Sequence, residues 1–151
     1  MFQEDTFLQV VADAVTRAAG GAVQDGRATI TVSPERGEVP PVVSLVPAGE
    51  KAAPVAVQLD DQNQATLYLG RYGTVCELWE TEPDELVEAI EVYVGAIVSG
   101  QYEETVHLID GELLKARGKV LVNGRLTRIW HSDLTAGRGR RTKEKLVYDP
   151  Y

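Results

Sequence analysis

Residues 102–130 read YEETVHLIDGELLKARGKVLVNGRLTRIW, and two dipeptides within them, Asp110-Gly111 and Asn123-Gly124, decide the fold. Both central positions of a two-residue hairpin turn need positive φ, which Asn, Asp and Gly adopt readily, so each dipeptide predicts a tight chain reversal. Strands joined this closely pair antiparallel. The stretch therefore reads as a meander of four short strands: Tyr102–Ile109, Glu112–Arg117, Lys119–Val122 and Arg125–Trp130, with Gly118 interrupting the middle two. In the first of them Val106 and Leu108 alternate with Glu103, Thr105 and His107, so acid and imidazole share one face.

Upstream of the meander the spacing changes to that of a helix. Leu86, Val87, Ile90, Tyr93, Val94, Ile97 and Val98 recur at helical intervals, with Glu85, Glu88 and Glu91 falling toward solvent. Thr81-Glu82-Pro83-Asp84 starts this helix, Thr81 offering a capping hydroxyl, and Ser99-Gly100 ends it. A first helix is expected over Glu4–Ala19, where Phe7, Leu8, Val11, Ala14, Val15 and Ala18 form one apolar stripe. Gly20-Gly21 terminates it. Between the helices, short runs rich in β-branched residues predict strands over Ala28–Ser33, Val42–Val46, Val55–Leu59, Ala65–Leu69 and Thr74–Trp79. The expected class is α+β: an antiparallel sheet of about nine short strands in the order α-β5-α-β4, with two helices packed on it. Residues 1–135 form one domain in this reading, and residues 136–151 a basic, partly flexible C-terminal tail.

The 151 residues suffice for one packed domain without a metal or disulfide staple. Cys76 is the sole cysteine, and its alternation with Leu78 points it into the core as an inert thiol. The opening Met1-Phe2-Gln3-Glu4-Asp5 lacks the basic residues and apolar run of a signal peptide, and no apolar stretch has the length of a membrane span. The expected compartment is the cytoplasm.

Charge is unevenly distributed along the chain. Residues 1–112 carry five Arg and Lys against twenty Asp and Glu, for −15; residues 113–151 carry ten against three, for +7; together they give the net −8. Such asymmetry predicts two electrostatic faces. An acidic face made by Glu77, Glu80, Glu85, Glu88 and Glu91, with Tyr68 and Trp79 as aromatic anchors, suits a basic protein partner. In size, acidity and α+β layout the chain resembles small bacterial immunity proteins and secretion chaperones, which implies the same kind of role. The alternative partner is nucleic acid, bound through Arg138, Arg140, Arg141, Lys143 and Lys145 in the tail, with Trp130 and Tyr148 available to stack on bases.

Enzymatic chemistry has less support. His107 and Glu103 share a strand face, and His131 precedes Ser132-Asp133; together they would make a site of two imidazoles and an acid. The spacing matches no established ligand pattern, and neither a catalytic residue, a metal nor a cofactor is assigned. The acid pairs Asp60-Asp61, Asp84-Glu85 and Glu103-Glu104 read as solvated or helix-capping, since neighbours on a strand face opposite ways. Exposed sheet edges would need cover, which a symmetric dimer would supply.

Overall fold

A computed structural model describes residues 3–132 and 138–151, apart from the side chains of residues 130–132. Among the described residues the elements run α1 (Glu4–Ala18), β1 (Ala28–Ser33), β2 (Val42–Pro47), β3 (Val55–Asp61), β4 (Gln64–Leu69), β5 (Thr74–Trp79), α2 (Pro83–Val98), β6 (Tyr102–Ile109), β7 (Glu112–Val122), β8 (Arg125–Ser132) and β9 (Arg141–Val147). The chain is thus α+β with antiparallel pairing throughout its ladders. The strands divide into two sheets, a five-stranded meander β1-β2-β3-β4-β5 and a four-stranded sheet ordered β8-β7-β6-β9.

The five-stranded sheet follows from strict alternation. Val55, Val57 and Leu59 on β3 and Ala65, Leu67 and Leu69 on β4 are buried, while Asp60, Asp61 and Tyr68 are exposed. Both helices cover the buried face. Leu86, Ile90, Val94 and Ile97 of α2 and Val11, Ala14 and Val15 of α1 are fully enclosed there. The start of α2 differs from expectation. Its N-cap is Glu82 rather than Thr81, in a capping box where the Glu82 backbone N–H donates to Glu85 Oε2 at 3.1 Å. No helix among the described residues is long and apolar enough to cross a membrane.

The second half corrects two expectations. Gly118 does not break a strand: β7 runs unbroken from Glu112 to Val122, with Gly118 opposite Glu104 on one side and Ile129 on the other. The Tyr102 ring lies over this glycine, and a Cβ there would approach it to 2.9 Å, so the residue makes room for the aromatic ring. Second, much of the expected tail is sheet. Arg141–Val147 pairs with β6 along its whole length, from Ile109 opposite Arg141 to Glu103 opposite Val147. Tyr148 then turns into the core, 7% exposed, and stacks on Tyr102 with ring centroids 5.4 Å apart.

A buried carboxylate fastens this end. Glu104 is 1% exposed and accepts hydrogen bonds from Thr74 Oγ1 at 2.6 Å, from the Tyr102 hydroxyl at 2.7 Å and from the Tyr148 hydroxyl. The Tyr148 oxygen in turn accepts the Arg71 backbone N–H at 2.8 Å. Burial, reinforced by the carboxylate, pushes both phenols above their ordinary range, so each keeps the proton it donates. The last residues continue across the molecule: Asp149 N–H donates to Lys51 O at 2.8 Å and Tyr151 N–H to Val98 O at 2.9 Å.

Candidate functional site

Period-two alternation sorts the four-stranded sheet into two unlike faces. Tyr102, Glu104, Val106 and Leu108 of β6 and Ala116, Gly118 and Val120 of β7 point inward and are buried. The opposite face carries Glu103, Thr105 and His107 on β6, all half-buried. Register places Lys119, Arg117 and Lys115 of β7 beside these three on one side. It places Val147, Lys145 and Lys143 of β9 beside them on the other, with Arg141 one step further. Arg128 of β8 stands next to Lys119.

The result is a pair of cationic rails. One is Lys115, Arg117 and Lys119; the other is Arg141, Lys143 and Lys145. They flank a floor of Thr105 and His107. Two strand spacings, about 10 Å, separate the rails, and successive cations along each stand about 6.7 Å apart. A shallow cleft of about 170 Å³ opens between them, lined by Glu103, Thr105, His107, Arg117, Lys119 and Lys143 among others. While the neighbouring Glu104 side chain points inward, Glu103 points outward on this floor and spans it, 3.9 Å from Lys119 Nζ and 3.7 Å from Lys145 Nζ. Beyond it the same face carries exposed apolar groups: Val147, and Leu121 opposite Leu126 at the β7–β8 turn.

His107 feels the rails. Desolvation first, then the charges of Lys115, Lys143 and Arg117, hold its imidazole below the usual histidine range. The site is therefore positive around a neutral ring near pH 7, a setting that attracts anions and disfavours divalent cations.

Of the tail cations named from sequence, Arg141, Lys143 and Lys145 lie on one rail, and Arg138 and Arg140 precede it, both exposed. Lys115, Arg117 and Lys119 belong to the same basic C-terminal region of the sequence, on the strands before the tail, and form the other rail. Tyr148 cannot stack on a base, being enclosed against Tyr102. Trp130 pairs with Arg117 and His131 with Ala116 in the ladder; the side chains of both lie outside the described residues. The site of Glu103, His107 and His131 therefore falls partly outside the description. Among the described residues no three His, Cys, Asp or Glu side chains gather closely enough to hold a metal ion.

The acidic set does not come together. Tyr68, Glu77 and Trp79 occupy the open face of the five-stranded sheet, where Tyr68 pairs with Val75 and Glu77 with Thr66. Glu85, Glu88 and Glu91 ride on α2, on the far side of that sheet. Glu91 is engaged by Arg17 of α1 at 3.3 Å, and Glu80, half-buried, follows β5. A different acidic grouping forms instead. Glu4, Asp5, Glu35, Glu38, Asp60 and Asp61 ring a cleft of about 330 Å³ between α1 and the β3–β4 turn. Cys76 is pushed up to about 11, chiefly by burial, so its thiol stays protonated; it lies in the core, away from His107.

Comparison with known proteins returns no family model, no curated relative and no solved structure that matches this chain.

Proposed function

We propose that the protein is a non-enzymatic binding domain that takes an anionic polymer, in the cytoplasm, on the outer face of its four-stranded sheet. The observation that carries this is the register bringing Lys115, Arg117 and Lys119 alongside Arg141, Lys143 and Lys145 across a shared floor. A net charge of −8 argues against such binding only at long range. At physiological ionic strength the Debye length is about 8 Å, so a ligand on this face feels the rails and little of the acids beyond. A basic protein partner on the acidic flank has less to hold, because the residues for it are divided between two surfaces.

Chromatography tests the proposal directly. The protein is expected to be retained on heparin at pH 7 and low salt despite its acidic composition, and a Lys143→Glu, Lys145→Glu variant to pass through. Wild-type protein in the flow-through would overturn the reading.

His107 gives a second expectation. Its surroundings are Glu103 and Thr105 on its own strand, Lys115 and Arg117 from β7, and Lys143, Lys145 and Arg141 from β9. Desolvation first, and then these cations, depress protonation; an anion laid over the cations opposes their share of it, so the bound state is expected to have the higher His107 pKa. Binding then takes up a proton, and affinity rises as pH falls from about 7 toward 5.5, by a few-fold. Anisotropy titrations across that range check the sign, and His107→Gln should flatten the profile.

A further inference from the structure

We infer that the ligand of this face is a single nucleic-acid strand lying along β6 between the two cationic rails, an inference that rests on the reading above. Three features of the face point to this occupant. Alternate cations along a strand repeat at about 6.7 Å, comparable with the separation of successive phosphates in an extended nucleic-acid chain. The site is also narrow and recessed: exposed lysines and arginines stand on either side of half-buried Thr105 and His107. A single strand fits such a trough, whereas a duplex or a flat anionic bilayer would meet the rails and leave the floor unfilled. Finally, the face is not uniformly charged. Leu121, Leu126 and Val147 are 41%, 55% and 65% exposed on it, and Thr105 and His107 offer hydrogen-bonding groups. Single-strand binders add base-contacting surface to a basic groove; here Leu121, Leu126, Val147, Thr105 and His107 would supply it, and a bare polyphosphate has no bases to use it.

Glu103 has a defined part in this arrangement. Among the described residues it is the carboxylate that faces outward on the floor, and it occupies Lys119 and Lys145. A phosphate entering at that end competes with it for both ammonium groups. Glu103 thus weakens general anion binding, and the apolar end beside it favours ligands that bring bases.

Fluorescence anisotropy on the intact protein, at one fixed salt concentration, tests the inference. The probes are a labelled 12-nucleotide single strand, its duplex, and long-chain polyphosphate and phosphatidylserine vesicles as competitors. The single strand is expected to bind at least tenfold more tightly than the duplex. Glu103→Gln should tighten single-strand binding roughly three- to tenfold, since it removes one negative charge from the floor and frees Lys119 and Lys145. Leu121→Ser with Leu126→Ser should weaken the single strand about tenfold while leaving heparin retention in place, which separates contact with bases from charge. Retention on heparin with equal or tighter binding of duplex or polyphosphate would overturn the single-strand inference and leave the anion-binding face standing. Displacement by vesicles at matched charge would assign the face to a membrane surface instead. Loss of retention and of all oligonucleotide binding would remove both readings together.

Discussion

Reversing Lys115, Lys143 and Lys145 to glutamate is expected to lower affinity for a single-stranded oligonucleotide on the order of 10³-fold while leaving the melting temperature nearly unchanged. Each of these ammonium groups stands on the outer face, either exposed or half-buried. A charge-assisted contact to phosphate contributes about 1.5 kcal/mol, and three of them account for that factor. The stability cost is small. Among the described contacts of the three, only Lys145 holds an ion pair, with the half-exposed Glu103, and such surface pairs contribute ~0–1 kcal/mol. Salt offers an independent measure. Six cations neutralising phosphates on a single strand give a slope of roughly −4 in log affinity against log salt concentration. The triple variant should lose about half of it. An unchanged slope with unchanged affinity would place the ligand elsewhere, on Arg138 and Arg140 or off this face altogether.

Glu104→Ala is expected to cost about 3–5 kcal/mol of folding stability, read by urea denaturation. The substitution leaves the Thr74, Tyr102 and Tyr148 hydroxyls inside the protein without their acceptor. A buried donor deprived of its partner costs about 1–3 kcal/mol, and the three lie close enough to share part of the loss. Tyr148→Phe is the milder test. It removes one donor to Glu104 and the acceptor of the Arg71 backbone N–H, and should cost about 1–3 kcal/mol. A loss below about 1 kcal/mol for Glu104→Ala would mean that water reaches the site and replaces the carboxylate.

The geometry of this cluster explains two sequence choices nearby. Gly70 has φ of +74°, and a Cβ there would come within 2.8 Å of the Tyr148 hydroxyl and 2.9 Å of Glu104 Oε1. Both backbone conformation and space therefore require glycine. Gly118 answers to space alone, through the Tyr102 ring.

How far the fold was legible depended on whether alternation or hydrogen bonding defined each strand. β3, β4 and β5 declare themselves because every second side chain is buried and, Thr74 apart, apolar. β9 does not, since Arg141-Thr142-Lys143-Glu144-Lys145 is exposed on both sides; it is an edge strand held by backbone pairing to β6. Its partner's outward residues were known from alternation, yet nothing local says which chain lies alongside. That pairing is what assembles the second rail, so half of the candidate site was hidden with it. Glu104 was different. The alternation that puts Glu103 and His107 outward also puts Glu104 inward with Val106, and reading the adjacent acids as solvated overlooked that consequence. The acidic contact set failed to assemble for a related reason: β5 and α2 are consecutive in sequence, but the outward side chains of β5 face away from the side of the five-stranded sheet that α2 covers.

The segment 148–151 has a bearing on how the protein is made. Its contacts reach Lys51, Ala53, Val98 and Arg27, the last across 124 positions of chain. Until residues 141–148 emerge from the ribosome, β6 lacks its outer neighbour and Glu104 lacks the phenol of Tyr148. The nascent chain can close its helices over the first sheet before β9 emerges, and the cations of β9 join those of β7 only afterwards. A ribosome-tethered intermediate halted before residue 141 would therefore present an unpaired β6 edge, with Lys115, Arg117 and Lys119 but without the cations of β9.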